Sequence, residues 1–353
     1  MKLKGLKLTP VLVAAGVVGV VCLIQIRRPE FFDRLERITY DWRMREALHL
    51  RPSVSTNLGF VEITDDTIKR ISAGLIKVGG RKASYGLYWP RHVYGRVARE
   101  LKTQGAEAIG FDVLFGELRP DHSSLLFQGE PEPVDSDVVF SRLIRQAGNV
   151  VLAAEEATIP PPLFRTNAMT LGDISAEKDI DGVLRRAHAF RTYRKWHRAF
   201  ERLEDDPDYG FDLRNAVITP GKIALKRSSG DPVEIPLDAQ GRFDMADFYG
   251  TNLPPKMERF AKPFSEERVW HMGIVIAARE LNLDLNEAQV DLDKGRITLR
   301  GPAGIERTIP VDKDGFFYIN WALTEKDPRL TKDFFDHVIE QDNLHSTGAT
   351  NGL

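Results

Sequence analysis

The chain has 353 residues, enough for one large domain or two ordinary ones, and 42% of them are hydrophobic, as in a globular protein with a sizeable core. The 49 basic residues nearly balance the 51 acidic ones, so no strong field favours nucleic acid as a partner. The sequence has one cysteine, Cys22, which excludes an internal disulfide and a multi-cysteine zinc site.

An uncharged run lies near the N-terminus, from Leu8 to Ile26. At about 1.5 Å rise per residue, such a run just spans a hydrocarbon core of roughly 30 Å, so it predicts a membrane helix. A cleaved signal peptide is the alternative, but the run is long for one and no small-x-small cleavage site follows. Val21 before Cys22 also fits a lipoprotein signal poorly. Lysines precede the run while Arg27 and Arg28 follow it, so the positive-inside rule leaves the orientation open.

An amphipathic helix is predicted to begin at Glu30. Phe31, Leu35, Ile38 and Trp42 recur there at steps of three and four residues, which places them on one face of a helix. This helix would stand next to the membrane.

Two apolar segments separated by a helix predict a parallel strand–helix–strand unit. The first strand lies within 57–66, the helix covers about 93–103, and the second strand covers 106–115. A right-handed crossover would bury such strands on both faces and gather functional residues at their carboxyl ends.

Four acidic residues fall near those strand ends. Asp65 and Asp66 follow the first strand, and either can cap the next helix. Asp112 stands in the middle of the second apolar strand, and Glu117 follows it. The sequence therefore predicts that the four acids converge and that Asp112 is buried with a partner.

The remaining elements are predicted from apolar patterning in chain order. They comprise a helix from Ser136, a strand from Asn149, a strand over Leu184–Phe190, a helix over Glu267–Leu283, and short strands within 295–301, 304–312 and 315–320. The segment 202–264 is the least regular and is interpreted as an insertion. The predicted fold class is α/β: an N-terminal transmembrane helix followed by a mainly parallel or mixed sheet flanked by helices.

The acids allow three interpretations. Carboxylates at one sheet edge can bind Mg²⁺ or Ca²⁺, and paired acids can act as general acid and base. In the structural interpretation, which we favour, Asp66 caps a helix and Asp112 accepts hydrogen bonds from Arg91 or from backbone amides.

Arg91 directly follows a proline at a predicted helix start, where free backbone amides favour anions. It can therefore act as an anion clamp, or pair with Asp112 or with an aspartate of the first strand end. The histidines show no metal-ligand spacing, and the chain lacks P-loop, dinucleotide and nucleophile-elbow motifs. No cofactor is expected.

The chain resembles a CHASE2 domain, from about Tyr40 to Trp321. The stretches that carry the resemblance occur in the family's order: "ITYDWRMR", "VEITDDTIKRI", "YWPRHVYGRVARELKTQGAEAIGFDVLF", "DIDGVLRRAHAF" and "IPVDKDGFFYIN". The W-P-R followed by "GAEAIGFDVLF" is fairly specific, whereas "DGVLRR" is useful only in order.

The resemblance implies a sensory module of bacterial signal transduction, held in the inner membrane by one N-terminal span with its bulk in the periplasm. It implies an N-terminal tail and span over 1–28, a sensor domain over 29–343 and a polar tail over 344–353. Family members usually continue into further membrane helices and a cytoplasmic catalytic domain, so signal output is expected outside this sequence. The expected partners are the membrane, an unidentified small-molecule or protein signal, and a second copy of the chain, with no nucleic acid.

No catalytic residue and no metal ligand is assigned under this interpretation. The pocket candidates are Asp65, Asp66, Trp89, Arg91, Asp112, Glu117, Asp181 and Arg185. The alternative hypothesis is an anchored periplasmic, metal-dependent hydrolase that uses Asp65, Asp66, Asp112 and Glu117.

Overall fold

The computed structural model describes residues 8–27, 30–50, 54–74, 77–78, 81–82, 84–85, 88–119, 125, 131–205, 210–227, 231–250, 253, 257–321, 323 and 327–346. The helices are α1 (Leu8–Arg27), α2 (Glu30–Ala47), α3 (Asp65–Ser72), α4 (Arg91–Thr103), α5 (Ser136–Ala147), α6 (Pro162–Arg165), α7 (Arg198–Asp205), α8 (Ala246–Tyr249), α9 (Met272–Glu280) and α10 (Phe335–Ser346). Short 3-10 turns cover Leu48–Leu50 and Pro302–Gly304.

The strands are β1 (Gly59–Glu62), β2 (Lys77–Val78), β3 (Arg81–Lys82), β4 (Ile109–Phe111), β5 (Val150–Ala154), β6 (Thr170–Asp173), β7 (Arg186–His188), β8 (Phe190–Trp196), β9 (Phe211–Thr219), β10 (Lys222–Arg227), β11 (Val233–Pro236), β12 (Phe243–Asp244), β13 (Phe260–Ala261), β14 (Phe264–Trp270), β15 (Asp284–Asp291), β16 (Arg296–Arg300), β17 (Glu306–Pro310), β18 (Phe316–Tyr318) and β19 (Thr331–Phe334). The α/β class predicted from the sequence is confirmed, with mixed sheets and flanking helices.

The chain divides into two compact units, of which the smaller comprises residues 1–61 and 319–333. It contains α1 and α2, and the Tyr40 hydroxyl of α2 donates a hydrogen bond to the Ile319 carbonyl at 2.9 Å. The helix predicted from Glu30 is confirmed, and its apolar residues Phe31, Leu35, Ile38 and Trp42 are exposed.

The uncharged N-terminal run is helical, as predicted. Among the described residues, however, no helix combines the length and apolarity required to cross a bilayer. The structure therefore does not support the predicted transmembrane helix.

The larger unit, residues 62–318 and 334–353, is organised around a parallel sheet of three strands in the order β4-β5-β6. β5 is the central strand and is buried along its whole length, because helices cover both faces. On one face, Leu152 packs with Phe140 and Ile144 of α5. On the other, Val151 packs with Met272 of α9.

Two glycines allow α9 to approach the sheet closely. A Cβ added at Gly172 of β6 would lie 2.8 Å from the Met272 Cα, which is backbone and cannot move aside. A Cβ added at Gly110 of β4 would lie 2.7 Å from Ile276 Cδ1, the end of a flexible side chain. The glycines in these strands therefore set the distance between α9 and the sheet.

The parallel unit differs from the one predicted. β4 pairs with β5, so the helix between the parallel strands is α5, whereas β1 pairs with β19. The predicted parallel pairing of the first two apolar segments is therefore wrong within the described sheets. β1 instead pairs with β19 near the end of the chain, and apolar patterning in the sequence does not indicate which distant strands pair.

The segment 202–264 is more regular than predicted. β9, β10 and β11 form an antiparallel sheet, and β12 pairs with β13. Phe200, Ile223, Leu225 and Phe243 are fully buried in a core of this region. The segment therefore forms a folded core together with Phe200 of α7, and its interpretation as an insertion stays a prediction.

Two further boundaries were wrong. The predicted helix 267–283 begins at Met272, because β14 occupies its first residues and pairs antiparallel with β8. The strand predicted over Leu184–Phe190 is divided into β7, which ends at His188, and β8, which begins at Phe190, extends to Trp196 and pairs with β14 in full register. Polar and charged residues come in consecutive runs along both strands instead of alternating with apolar ones, so each strand alone has a weak strand pattern.

The C-terminal helix α10 was not predicted, although it packs against α4. Buried Asp342 accepts a hydrogen bond from Arg96 Nε at 2.6 Å and from Arg99 Nε at 2.9 Å, and Glu100 lies 2.8 Å from His345. The predicted polar tail 344–353 thus begins inside α10, which extends to Ser346, and the residues that follow lie outside the described ones.

Candidate functional site

The W-P-R motif builds a buried charged cluster at the start of α4. Pro90 fixes the turn into the helix, and Arg91 is its first residue. Arg91 is only 4% exposed, and its guanidinium lies 4.6 Å from the centre of the Phe115 ring. The strand end after β4 and the start of α4 therefore meet at this arginine.

The partner of Arg91 is Asp137, in the first turn of α5, and not Asp112 or the acids after β1. The Arg91 Nε and Asp137 Oδ1 atoms are 4.0 Å apart, and Arg91 Nη2 is 3.5 Å from the Glu117 carbonyl oxygen. The other carboxylate oxygen of Asp137 accepts a hydrogen bond from the Arg119 backbone amide. We call Arg91, Glu117, Arg119 and Asp137, together with Trp89 from the same W-P-R motif, the Arg91 cluster.

Burial controls the ionisation of this cluster. It lowers the pKa of Arg91, an effect that neighbouring Arg119 reinforces and Asp137 opposes. It raises the pKa of the Asp137 carboxyl, although the hydrogen bond from the Arg119 amide lowers it in part. The two charges therefore depend on each other for stability.

Three buried polar atoms of the cluster have no hydrogen-bond partner among the described residues: Trp89 Nε1, Arg91 Nε and Asp137 Oδ1. An unmade hydrogen bond in a buried position costs about 1–3 kcal/mol. The cluster therefore has unused donors and an unused acceptor, which a bound polar group could satisfy. It contains no nucleophile beside a general base.

Other predicted site residues lie elsewhere. Thr64 caps α3, so the prediction that Asp65 or Asp66 does so is wrong, and both acids are exposed in the first turn of the helix. β4 ends at Phe111, which leaves Asp112 exposed just beyond it, so the predicted burial of Asp112 is also wrong. Glu117 contributes its backbone carbonyl to the Arg91 cluster, and its side chain is 71% exposed.

These acids do not form a metal centre. In the part of the chain that the structure describes, no group of three or more histidine, cysteine, aspartate or glutamate side chains is arranged to hold a metal ion. The four acids therefore do not converge as predicted, and the hydrolase alternative is not favoured.

Asp181 and Arg185 come together in a different cluster. The Arg185 guanidinium is buried and donates to both carboxylate oxygens of Asp181 at 2.8 Å and to Asp179 at 2.9 Å. Arg186 extends the network to Asp312 at 3.0 Å. The "DIDGVLRR" stretch is thus a turn closed by its own ion pairs.

A third cluster was missed at the carboxyl end of β6. Asp173 is fully buried, and its Oδ1 atom accepts hydrogen bonds from the Tyr193 hydroxyl and the Ser175 hydroxyl, both at 2.6 Å. Arg191 Nε lies 3.6 Å from Asp173 Oδ2. Burial, with the hydrogen bond to Asp173, raises the pKa of Tyr193. The apolar pattern before Asp173 was the available signal, because acids at parallel strand ends are functional candidates.

The family model of the CHASE2 domain matches residues 16–338 of the chain. This match includes the Arg91 cluster, the Asp173 cluster and the "DIDGVLRR" turn. No curated protein and no solved structure matches the chain.

Proposed function

The chain belongs to the CHASE2 domain family, whose members are extracytoplasmic sensory modules of signalling proteins. We propose that this chain is anchored in a membrane and senses a chemical signal outside the cytoplasm. The observation that carries this proposal is the family match over residues 16–338. The signal is a small molecule or a protein, and its binding shifts the populations of two arrangements of the domain.

We assign signal reception to the Arg91 cluster. It lies at the carboxyl side of the parallel sheet, where ligands bind in open α/β folds. Trp89 and Arg91 are buried, yet each retains a donor without a described acceptor. A small anion that accepts from these donors would be stabilised by the guanidinium charge, and it would compete with Asp137 for Arg91.

The remaining predicted candidates have different roles. Asp181 and Arg185 hold a turn closed, and Asp65 and Asp66 favour the N-terminus of α3 through the helix dipole. Asp112 is exposed and serves as a matched control in the experiments below.

The anchor is the uncharged run Leu8–Ile26, and this part of the proposal rests on its sequence and on the family. In this proposal the run spans a bacterial inner membrane, with the N-terminus in the cytoplasm and the sensor domain in the periplasm. The exposed apolar residues of α2 fit a membrane surface or a second copy of the chain. Sedimentation of the chain and of Trp42→Gln distinguishes these partners, because only a homodimer would dissociate in the variant.

Location is tested with alkaline phosphatase fused after Leu353, since this reporter needs disulfides that form outside the cytoplasm. We expect activity from the full chain and none from a matched fusion that lacks residues 8–26. The mass of the membrane-bound product must also include the run. Activity from both fusions, or a product without the run, would contradict the anchor.

Reception is tested by thermal shift of the full chain with inorganic phosphate, citrate, Mg²⁺ and Ca²⁺. A ligand at about one hundred times its Kd stabilises the folded state by roughly 2.7 kcal/mol, which is readily measured as a rise in Tm. An anion should raise the Tm of the wild type and of Asp112→Asn, but not that of Arg91→Gln, each relative to its own unliganded Tm. Equal shifts in all three proteins would remove Arg91 from the site.

A further inference from the structure

A cavity of about 410 Å³ lies between α9, the sheet β15-β16-β17 and Phe317 of β18. This volume falls within the range of small-molecule pockets, about 300–1,000 Å³. Most of its lining is apolar and includes Ile274, Ala277, Leu281, Leu283, Leu299 and Ile309. It is separate from the Arg91 cluster, because the two share no lining residue.

The polar side chains in this lining are His271 and Arg307, and no acidic side chain contributes to it. The cavity surface is therefore almost wholly apolar, and the two side chains that can donate hydrogen bonds at its border have no acidic side chain of the lining as a counter-ion. An apolar cavity bordered by an arginine is electrostatically matched to a ligand with an apolar body and an anionic end.

The strand register shows that the position of Arg307 is unusual. Leu299 of β16 is directly opposite Arg307 of β17, and Ile297 is opposite Ile309, so these four side chains share one face of the sheet. The opposite face carries the polar residues, such as Arg296 and Thr298. Arg307 thus lies on the apolar face that packs against α9, where alternation predicts a hydrophobic residue.

Arg307 keeps most of its donors available. Its Nη1 donates to the Glu306 carbonyl at 3.0 Å, and in the described part of the chain the other guanidinium N–H groups have no acceptor. Arg307 is exposed and also lines the cavity, as is typical of an arginine whose aliphatic stem covers apolar surface while its charged end stays in water.

His271 supplies a second donor. Its Nδ1 atom accepts a hydrogen bond from the Gly273 backbone amide at 3.2 Å and so caps α9. Burial lowers the pKa of His271, which favours the neutral ring. A neutral ring that accepts at Nδ1 must carry its proton on Nε2, so Nε2–H is a donor, and it has no acceptor among the described groups.

We propose that this cavity binds a small monocarboxylate with an aliphatic or aromatic body, held by Arg307 and His271 at its carboxylate and by the α9–β16–β17 lining along its apolar part. The bound carboxylate accepts hydrogen bonds from Arg307 and His271 Nε2. The backbone of His271 also forms a parallel β-bridge with that of Asp173, and its side chain caps α9. The ligand therefore contacts a residue whose backbone joins the cavity to the Asp173 cluster.

The test is isothermal titration calorimetry of the full chain with octanoate and with 1-octanol, after subtraction of titrations into protein-free solvent. Octanol presents the same chain length without the charge. Arg307→Gln removes the cation, and Arg296→Gln is the matched control on the opposite face. His271→Asn retains a capping side chain but removes the Nε2 donor. Ala277→Phe fills the cavity from an exposed position on α9.

Octanoate should bind the wild type and Arg296→Gln equally, and Arg307→Gln should weaken it by roughly tenfold or more, as expected for a lost hydrogen bond to a charged group. Arg307→Gln should leave the affinity for octanol unchanged. His271→Asn should also lower the affinity for octanoate, and Ala277→Phe should remove binding of both probes. Absence of octanoate binding to the wild type overturns the proposal, as does equal binding by Arg307→Gln and Arg296→Gln.

This proposal stands independently of the sensory function. Failure of the alkaline phosphatase test would remove the extracytoplasmic location while leaving the affinity measured on the purified chain unchanged. Failure of octanoate to bind would leave the Arg91 test unaffected, since that test uses other ligands and another variant.

Discussion

Asp342 is expected to decide whether α10 stays docked on α4, and the change Asp342→Asn tests this. The Asp342 side chain is 2% exposed and that of its partner Arg96 is 8% exposed. The amide keeps the shape of the carboxylate but removes its charge. Arg96 then remains buried without its counter-ion, and removal of one member of a buried ion pair costs about 3–5 kcal/mol. Arg99 is 36% exposed and can be hydrated instead, so we expect a loss near the lower end, about 3 kcal/mol.

The matched change is Glu340→Gln on the same helix. Glu340 pairs with Arg70 at 2.6 Å, but these side chains are 45% and 35% exposed. Solvent-exposed pairs contribute about 0–1 kcal/mol, so Glu340→Gln should be nearly neutral. The contrast between the two variants follows from burial, because both remove one acidic charge from α10.

The assay is urea unfolding of the full chain, followed by tryptophan fluorescence and far-UV circular dichroism, together with native-state hydrogen exchange of α10. If α10 undocks without global unfolding, its amides exchange faster in Asp342→Asn while those of β5 do not. A loss below about 1 kcal/mol with unchanged exchange in α10, or equal losses in the two variants, would refute the assignment of α10 to the folded core.

Three further predictions concern the core and its pH dependence. Gly172→Ala should destabilise the fold by about 1–3 kcal/mol in urea unfolding, because the added Cβ meets the α9 backbone. Gly110→Ala should cost less, because there the added Cβ meets the end of a side chain that can move. A larger loss for Gly110→Ala than for Gly172→Ala would contradict this packing. Burial and neighbouring Arg96 lower the pKa of His92 from 6.5 to about 4. Between these two pH values the unfolded state therefore binds more protons than the folded state, and about 3 kcal/mol of stability that is present above pH 6.5 should be lost as the pH falls towards 4. His92→Gln should not show this loss. Parallel plots of unfolding free energy against pH for the wild type and His92→Gln would contradict the prediction. Arg185→Gln should lower Tm more than Arg186→Gln, since Arg185 is the more buried of the two, and equal shifts would show that burial of the pair is unimportant.

The sequence predicted the local elements whose signals are themselves local. The periodicity after Glu30 indicated α2, and the apolar run after Asn149 indicated β5. The W-P-R motif indicated the start of α4, because a proline before an arginine marks a helix start, and Trp89 and Arg91 of this motif are both buried. The order of the motifs along the chain also indicated the family.

The partners of these residues could not be obtained from the sequence. Arg91 pairs with Asp137 instead of Asp112, since β4 ends at Phe111 and α5 brings Asp137 to the same place. Likewise, Asp173 was missed, because its partners Tyr193 and Arg191 lie on β8, a strand with a weak pattern in the sequence.

By itself the sequence determined which segments are apolar, where turns and helix starts fall, and which family the chain resembles, because these depend on residues close together along the chain. Only the tertiary structure decided which charges meet and which are exposed. It paired β1 with β19, docked α10 on α4, and placed Arg307 on the apolar face of its sheet. Such contacts join residues far apart in sequence, and their energies depend on burial, which no local pattern specifies.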